Sequence, residues 1–263
     1  MQGNFETLKV KLEDGIIFLS VNRPDKLNAL NTQVLMELKS FFESLKNNKE
    51  AHSILFSGEG EKAFIAGADI KGMLTMNPSE AREFARLGQE VSLMFENSPL
   101  PILAAIDGFA LGGGCEMAMS CDILYATEKS VFGQPEINLG LIPGFGGTQR
   151  LGRYVGRARA KELIYTGANF KASQALDWGL ISKMFSSRDE LMGESIKILK
   201  VIGSKSSVIM KKCKDSINQG EGLVMSKALE VERQCFMSVF DTYDTKEGLS
   251  AFVEKRAPHF KGE

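Results

Sequence analysis

The chain has 263 residues, 43% of them hydrophobic and 25% charged, which is enough to bury a core of ordinary globular composition, with one domain as the expectation. Its 32 Lys and Arg stand against 33 Asp and Glu, so there is no basic excess to draw it to nucleic acid or an anionic membrane surface. No apolar run approaches the roughly 18 residues of a membrane span, and Met1, Gln2, Gly3 and Asn4 open no basic-then-apolar leader; cytoplasmic residence is the expectation.

Residues 7–12 and 16–21 are short and β-prone, and Glu13, Asp14 and Gly15 between them predict a hairpin. Val34, Leu35, Leu38, Phe41, Phe42 and Leu45 fall on one helical face, with Asn31 or Thr32 as the N-cap. A buried strand is expected at 53–57 and a turn at 58–60, followed by the apolar segment 63–68. A helix at 79–95 and strands at 101–106 and 123–126 come next. This alternation predicts right-handed βαβ crossovers and a largely parallel sheet. From Thr148 helical patterns dominate, at 157–165, 173–178, 189–218 and 222–239, with 180–184 as the one strand expected there. An α/β core over 1–200 and a helical region over 201–263 are therefore expected.

Histidine is confined to His52 and His259, so no local metal-ligand pair exists and none is expected; acid-base chemistry falls to carboxylates. Cys115, Cys121, Cys213 and Cys235 show no C-x-x-C spacing and read as reduced core thiols. Two glycine runs, Gly112-Gly113-Gly114 and Pro143-Gly144-Phe145-Gly146-Gly147, would let backbone amides approach a ligand, yet neither completes a dinucleotide or P-loop motif. Glu116 follows the first run inside a small, apolar helical start, where an unpaired charge is costly. Such a glutamate either turns to solvent, pairs with a core arginine, or serves as a perturbed functional acid. Glu136, in Gln134-Pro135-Glu136, reads on spacing alone as a surface turn.

Four segments change that balance. They are Asn22-Arg23-Pro24 with Leu27-Asn28-Ala29-Leu30, the run 64–70 (FIAGADI), 110–122 (ALGGGCEMAMSCD) and 132–151 (FGQPEINLGLIPGFGGTQRL). Together with the tail at 252–256 they resemble, in order and over nearly the whole chain, the enoyl-CoA hydratase/isomerase or crotonase family. The resemblance implies a spiral of βαβ units with a C-terminal helical oligomerisation region, and a homo-oligomer, trimer or hexamer of two trimers. It implies reversible hydration of a 2-trans-enoyl-CoA to the 3-hydroxyacyl-CoA, with no cofactor beyond the coenzyme A carried by the acyl-CoA thioester.

By the same resemblance Glu116 activates water, Glu136 supplies the proton at C2, and the amides of Ala66 and Gly113 form an oxyanion hole. Lys26, Gly67, Ala68, Asp69, Ile70, Gly144 and a neighbouring subunit's Lys255 are expected around the substrate and its CoA moiety, with Lys62 a further candidate. Gly144 reads equally as a turn glycine. Ile65 stands where many relatives carry a smaller residue, and acyl-chain length is left open. The alternatives are an isomerase, dehalogenase or hydrolase on the same fold. A further one is an RNA-binding member using a basic face of Arg150, Arg153, Arg157, Arg159 and Lys161. A serine peptidase branch would need a histidine that neither His52 nor His259 matches.

Overall fold

The computed structural model describes residues 5–263; the opening Met1 to Asn4 lie outside the described residues. The hairpin forms as expected, β1 (Leu8–Glu13) antiparallel to β2 (Ile16–Val21). Next come α1 (Thr32–Ser44), β3 (Ser53–Gly58), β4 (Ala63–Ile65), the single turn α2 (Ile70–Met73) and α3 (Pro78–Glu96). Asn31 caps α1 by accepting from the Val34 amide, and Asn77 caps α3 in a reciprocal box with Glu80. The middle of the chain adds β5 (Ile102–Ile106), β6 (Phe109–Leu111), α4 (Gly113–Ala118), β7 (Ile123–Thr127) and β8 (Val131–Gly133). Then follow α5 (Gly147–Val155), α6 (Arg157–Thr166), β9 (Asn169–Lys171), α7 (Ala172–Asp177), β10 (Lys183–Phe185) and α8 (Arg188–Gly203). The last three helices are α9 (Ser207–Gly220), α10 (Met225–Val239) and α11 (Tyr243–Glu254).

The strands form two sheets rather than the one the pattern suggests. Six run in the order β1-β2-β3-β5-β7-β10, parallel from β2 onward, and four in the order β4-β6-β8-β9. The core lies mainly between α1, α3 and the sheets, with Phe41, Phe56, Phe64 and Phe95 fully buried. A smaller cluster, including Leu191 and Leu199, packs α8 on the opposite face of the larger sheet.

Several details depart from the sequence reading. The strand expected at 180–184 forms three residues later, because Leu180 and Ile181 sink into the core as the turn closing α7. A second strand in this half, β9, pairs antiparallel with β8. The helix expected over 189–218 breaks after Gly203, where the Ser206 side chain accepts from the Ile209 amide and starts α9. Of the cysteines, all free, only Cys115 and Cys121 are buried; Cys213 is exposed and Cys235 half-buried on the late helices. Among the described residues, no helix is long and apolar enough to cross a membrane.

The turn between β2 and α1 is fixed by Asn28, which is fully buried with φ of 57°, a left-handed conformation that asparagine tolerates. Its side chain accepts from the Arg23 amide at 3.0 Å and donates to the carbonyls of Glu59 and Ala63 at 2.9 Å each. Asn28→Ala removes all three bonds and strands buried polar groups, so a loss of roughly 2–4 kcal/mol is expected in urea unfolding, and a loss below about 0.5 kcal/mol contradicts the assignment.

Candidate active site

The smaller sheet sets the site, because β4, β6 and β8 are neighbouring and parallel, so the segments leaving their carboxyl ends emerge on one edge. From β4 comes the run Ala66 to Asp69, from β6 the glycines that open α4 and carry Glu116, and from β8 the turn Gln134 to Leu139 that carries Glu136. A Cβ on Gly114 would stand 2.0 Å from the Ile65 carbonyl oxygen, so only glycine lets α4 press this closely on the end of β4. A cavity of about 790 Å³ opens at this edge, lined by Gly67, Ala68, Ile70, Gly113, Glu116, Glu136 and Gly144 among others.

Glu116 is 1% exposed. Its Oε1 accepts from the Phe145 amide at 2.8 Å and the Gly147 amide at 2.6 Å. The solvent-facing alternative is thereby excluded. Burial pushes its carboxyl up, while the Gly147 and Phe145 amides and the charge of Arg150 pull it back toward the ionised form.

Glu136 lies in a different setting, since its Oε2 is buried with no hydrogen-bond partner among the described residues. Burial pushes its carboxyl up to about 7, opposed by its own backbone amide and assisted by the nearby Glu116 charge. The turn reading of its sequence holds for the backbone, a 3-10 turn over Pro135–Leu139, and fails for the side chain, which points into the cavity wall.

The amide expected from Ala66 is otherwise engaged: it donates to the Leu27 carbonyl at 3.0 Å. Two residues on, the Leu30 amide donates to the Gly67 carbonyl and the Asp69 amide to the Leu30 carbonyl, each at 2.8 Å. This parallel bridge of Leu30 with Ala68 turns the Ala68 N–H away from the Leu30 segment. Ala68 and Gly113 both line the cavity, and the Gly113 amide, first in α4, has no intrahelical acceptor.

Other expected site residues divide. Gly67, Ala68, Ile70 and Gly144 line the cavity, and the Gly144 carbonyl accepts from the Gln89 side chain at 2.9 Å. Asp69 is instead paired with Arg23 at 3.0 Å. Lys26 and Lys62 are exposed and off the cavity lining, and so is Lys255, which caps α11 in a left-handed conformation. The basic face proposed for RNA loses Arg150, which is buried against Glu96, and Arg153, which pairs with Glu221. Sequence reading assigned Phe84 and Phe145 no site role and placed Arg150 only in a basic face, yet all three line the cavity.

The chain belongs to the enoyl-CoA hydratase/isomerase family, whose model matches residues 11–263. It is 45% identical over 244 residues to a short-chain-enoyl-CoA hydratase of Clostridium acetobutylicum, covering 93% of both chains. To a crotonyl-CoA hydratase of Syntrophomonas wolfei it is 41% identical over 256 residues, covering 97% of this chain and 98% of that one. The crystal structure of an enoyl-CoA hydratase from Bacillus anthracis superposes with a TM-score of 0.93 at 36% identity, covering 98% of this chain and all of that one.

The Glu136 carboxyl holds its proton more tightly folded than unfolded. Its contribution to stability is therefore fully present below the unfolded value near 4.5 and lost as pH rises through about 7. Glu136→Gln is neutral throughout, so it is expected to melt above the parent at about pH 8.5, with the gap narrowing as pH falls through about 7 and closing only below about 4.5. A gap independent of pH in paired thermal melts would contradict the raised carboxyl.

Proposed function

We propose that this chain is an enoyl-CoA hydratase that adds water reversibly across the C2–C3 double bond of a 2-trans-enoyl-CoA. One observation carries the reading: two carboxyls in opposed environments line one cavity, Glu116 fastened by two amides and Glu136 without a partner for Oε2. In hydration Glu116 takes a proton from water as the water oxygen bonds to C3, and Glu136 gives its proton to C2. The electrons of the double bond pass through the thioester as an enolate and return to form the C2–H bond. Dehydration exchanges the two roles.

The enolate oxygen needs donors placed before the reaction begins, and one such donor is worth roughly 3–4 kcal/mol in the transition state. With the Ala66 amide held by Leu27, Ala68 takes its place opposite Gly113. Beyond the C3–O bond made by water, the chemistry is proton transfer, which two carboxyls supply without a cofactor.

A short acyl chain fits best. Phe84 and Phe145 pack edge to face, ring centroids 5.3 Å apart, in the cavity wall beside Glu116. The names of the Clostridium and Syntrophomonas relatives point the same way. Gly67, Ala68, Ile70 and Gly144 are assigned to the acyl-CoA, with the lysines Lys26 and Lys255 as outlying contacts for its phosphates.

The division into a core over 1–200 and a helical region over 201–263 serves subunit contact in a trimer or a hexamer. Phe236, Met237, Phe240, Phe252 and Val253 leave apolar surface exposed on α10 and α11, more than a solvated face needs.

Crotonyl-CoA should lose its conjugated absorbance on incubation with the protein, and Glu116→Gln and Glu136→Gln should each lower turnover by about 10²- to 10⁴-fold with folding retained. Phe145→Ala, which keeps the backbone amide, should raise activity on six-carbon relative to four-carbon substrates. Turnover of a 3-enoyl thioester with no loss of the crotonyl signal would make the chain an isomerase, and near-parental rates in either glutamine variant would remove that residue from the mechanism.

A further inference from the structure

Arg150 has no part in the reaction as written above, yet its side chain reaches the loop that holds Glu116. It stands in the first turn of α5 and is only 9% exposed. Its Nε meets Glu96 Oε1 at 2.5 Å, at the last residue of α3, and its Nη1 donates to the Phe145 carbonyl at 2.8 Å. The residue between the two amides that bind Glu116 is Gly146, with φ of 115°, and a Cβ there would stand 2.0 Å from Nη1. The Nη1 end of the guanidinium thus lies hard against the loop backbone.

That contact has a geometric consequence. The Phe145 carbonyl belongs to the peptide unit that joins Phe145 to Gly146, and the two donor amides flank that unit. A planar peptide fixed at its carbonyl fixes the direction from which both neighbours leave it. The anchor is itself held from outside the cavity: α9 donates to the end of α3, Asn218 Nδ2 to the Glu96 carbonyl at 3.0 Å and Lys214 Nζ to the Phe95 carbonyl at 3.1 Å.

We propose that Arg150, anchored by Glu96, is a positioning residue for Glu116. It holds the 144–147 loop so that the Phe145 and Gly147 amides converge on one carboxylate oxygen, and its charge favours the form of Glu116 able to take a proton from water. The proposal rests on the reading of Glu116 as the base. The charged and titratable groups acting on Glu116 are Arg150 from α5, Glu96 behind it on α3, Glu136 from the turn after β8, and Cys115 beside it on α4. The last is neutral, its thiol pushed up to about 12 by burial.

The test is the pH dependence of crotonyl-CoA hydration by the full-length parent, Arg150→Gln, Arg150→Lys, Glu96→Gln and Glu116→Gln. Arg150→Gln should lower kcat by about 100-fold with KM within about threefold, since the base is displaced and not the substrate. The acidic limb of its kcat/KM profile should move to higher pH, because Glu116 loses its neighbouring cation. Arg150→Lys should keep that limb in place and still lose about tenfold in kcat, an ammonium being unable to span Glu96 and the Phe145 carbonyl as a planar fork does.

Glu96→Gln should move the limb the other way, to lower pH, by leaving the Arg150 charge unopposed. Parental kcat and an unmoved limb in a folded Arg150→Gln would overturn the proposal and leave Arg150 a packing residue. Should that variant fail to fold, parental kcat in Arg150→Lys with an unmoved limb in Glu96→Gln would overturn it equally. Retained turnover in Glu116→Gln would instead defeat the base assignment on which it rests, whereas an inactive Glu116→Gln beside a parental Arg150→Gln removes the positioning role alone.

Discussion

A carboxylate placed almost out of reach of water must be met by donors, and the bonds from the Phe145 and Gly147 amides to Glu116 are how this fold meets that demand. Much of the local architecture follows from them. The loop must bring two amides to one oxygen, so its backbone turns through Gly146 in a left-handed conformation. Glu116 must sit at the base of a short helix driven against β4, so Gly114 has no side chain. The Ala68 and Gly113 amides come to the same cavity because β4 and β6 are parallel neighbours.

The second carboxyl gains its character by contrast. Glu136 receives no such donors at Oε2 and lies within the field of Glu116, so it keeps its proton to about neutral pH. In the proposed reaction, two residues of one chemical type are thus divided into base and acid by what surrounds them. Reversal of the reaction then needs no rearrangement, only an exchange of which carboxyl holds the proton.

Much of this was legible in the residues themselves, through periodicity, caps and turn chemistry: the hairpin, α1 with its Asn31 cap, α3 and the parallel strands. The second sheet was not, since β4, β6, β8 and β9 are three residues each, too short to show a period. Glu116 had a case from its apolar surroundings, while Glu136 had almost none, because the burial of its side chain arises where the turn after β8 packs against α6 and brings the carboxyl beside the Gly112 backbone, which no local pattern records. The Ala66 assignment failed on register: two alanines flank Gly67, and only the backbone pairing with Leu27 and Leu30 tells which amide is free. Arg150 read as one charge in a basic run, and its burial depends on Glu96, fifty-four residues earlier.

The two glutamates should ionise differently within one cavity. Carbon-13 NMR titration of the glutamate carboxyls, with Glu136→Gln to assign the signal, tests this most directly. A carboxyl resonance titrating near 7 and absent from the variant is expected. If every glutamate carboxyl has lost its proton by about pH 5.5, as ordinary exposed carboxyls do, the division into acid and base is contradicted.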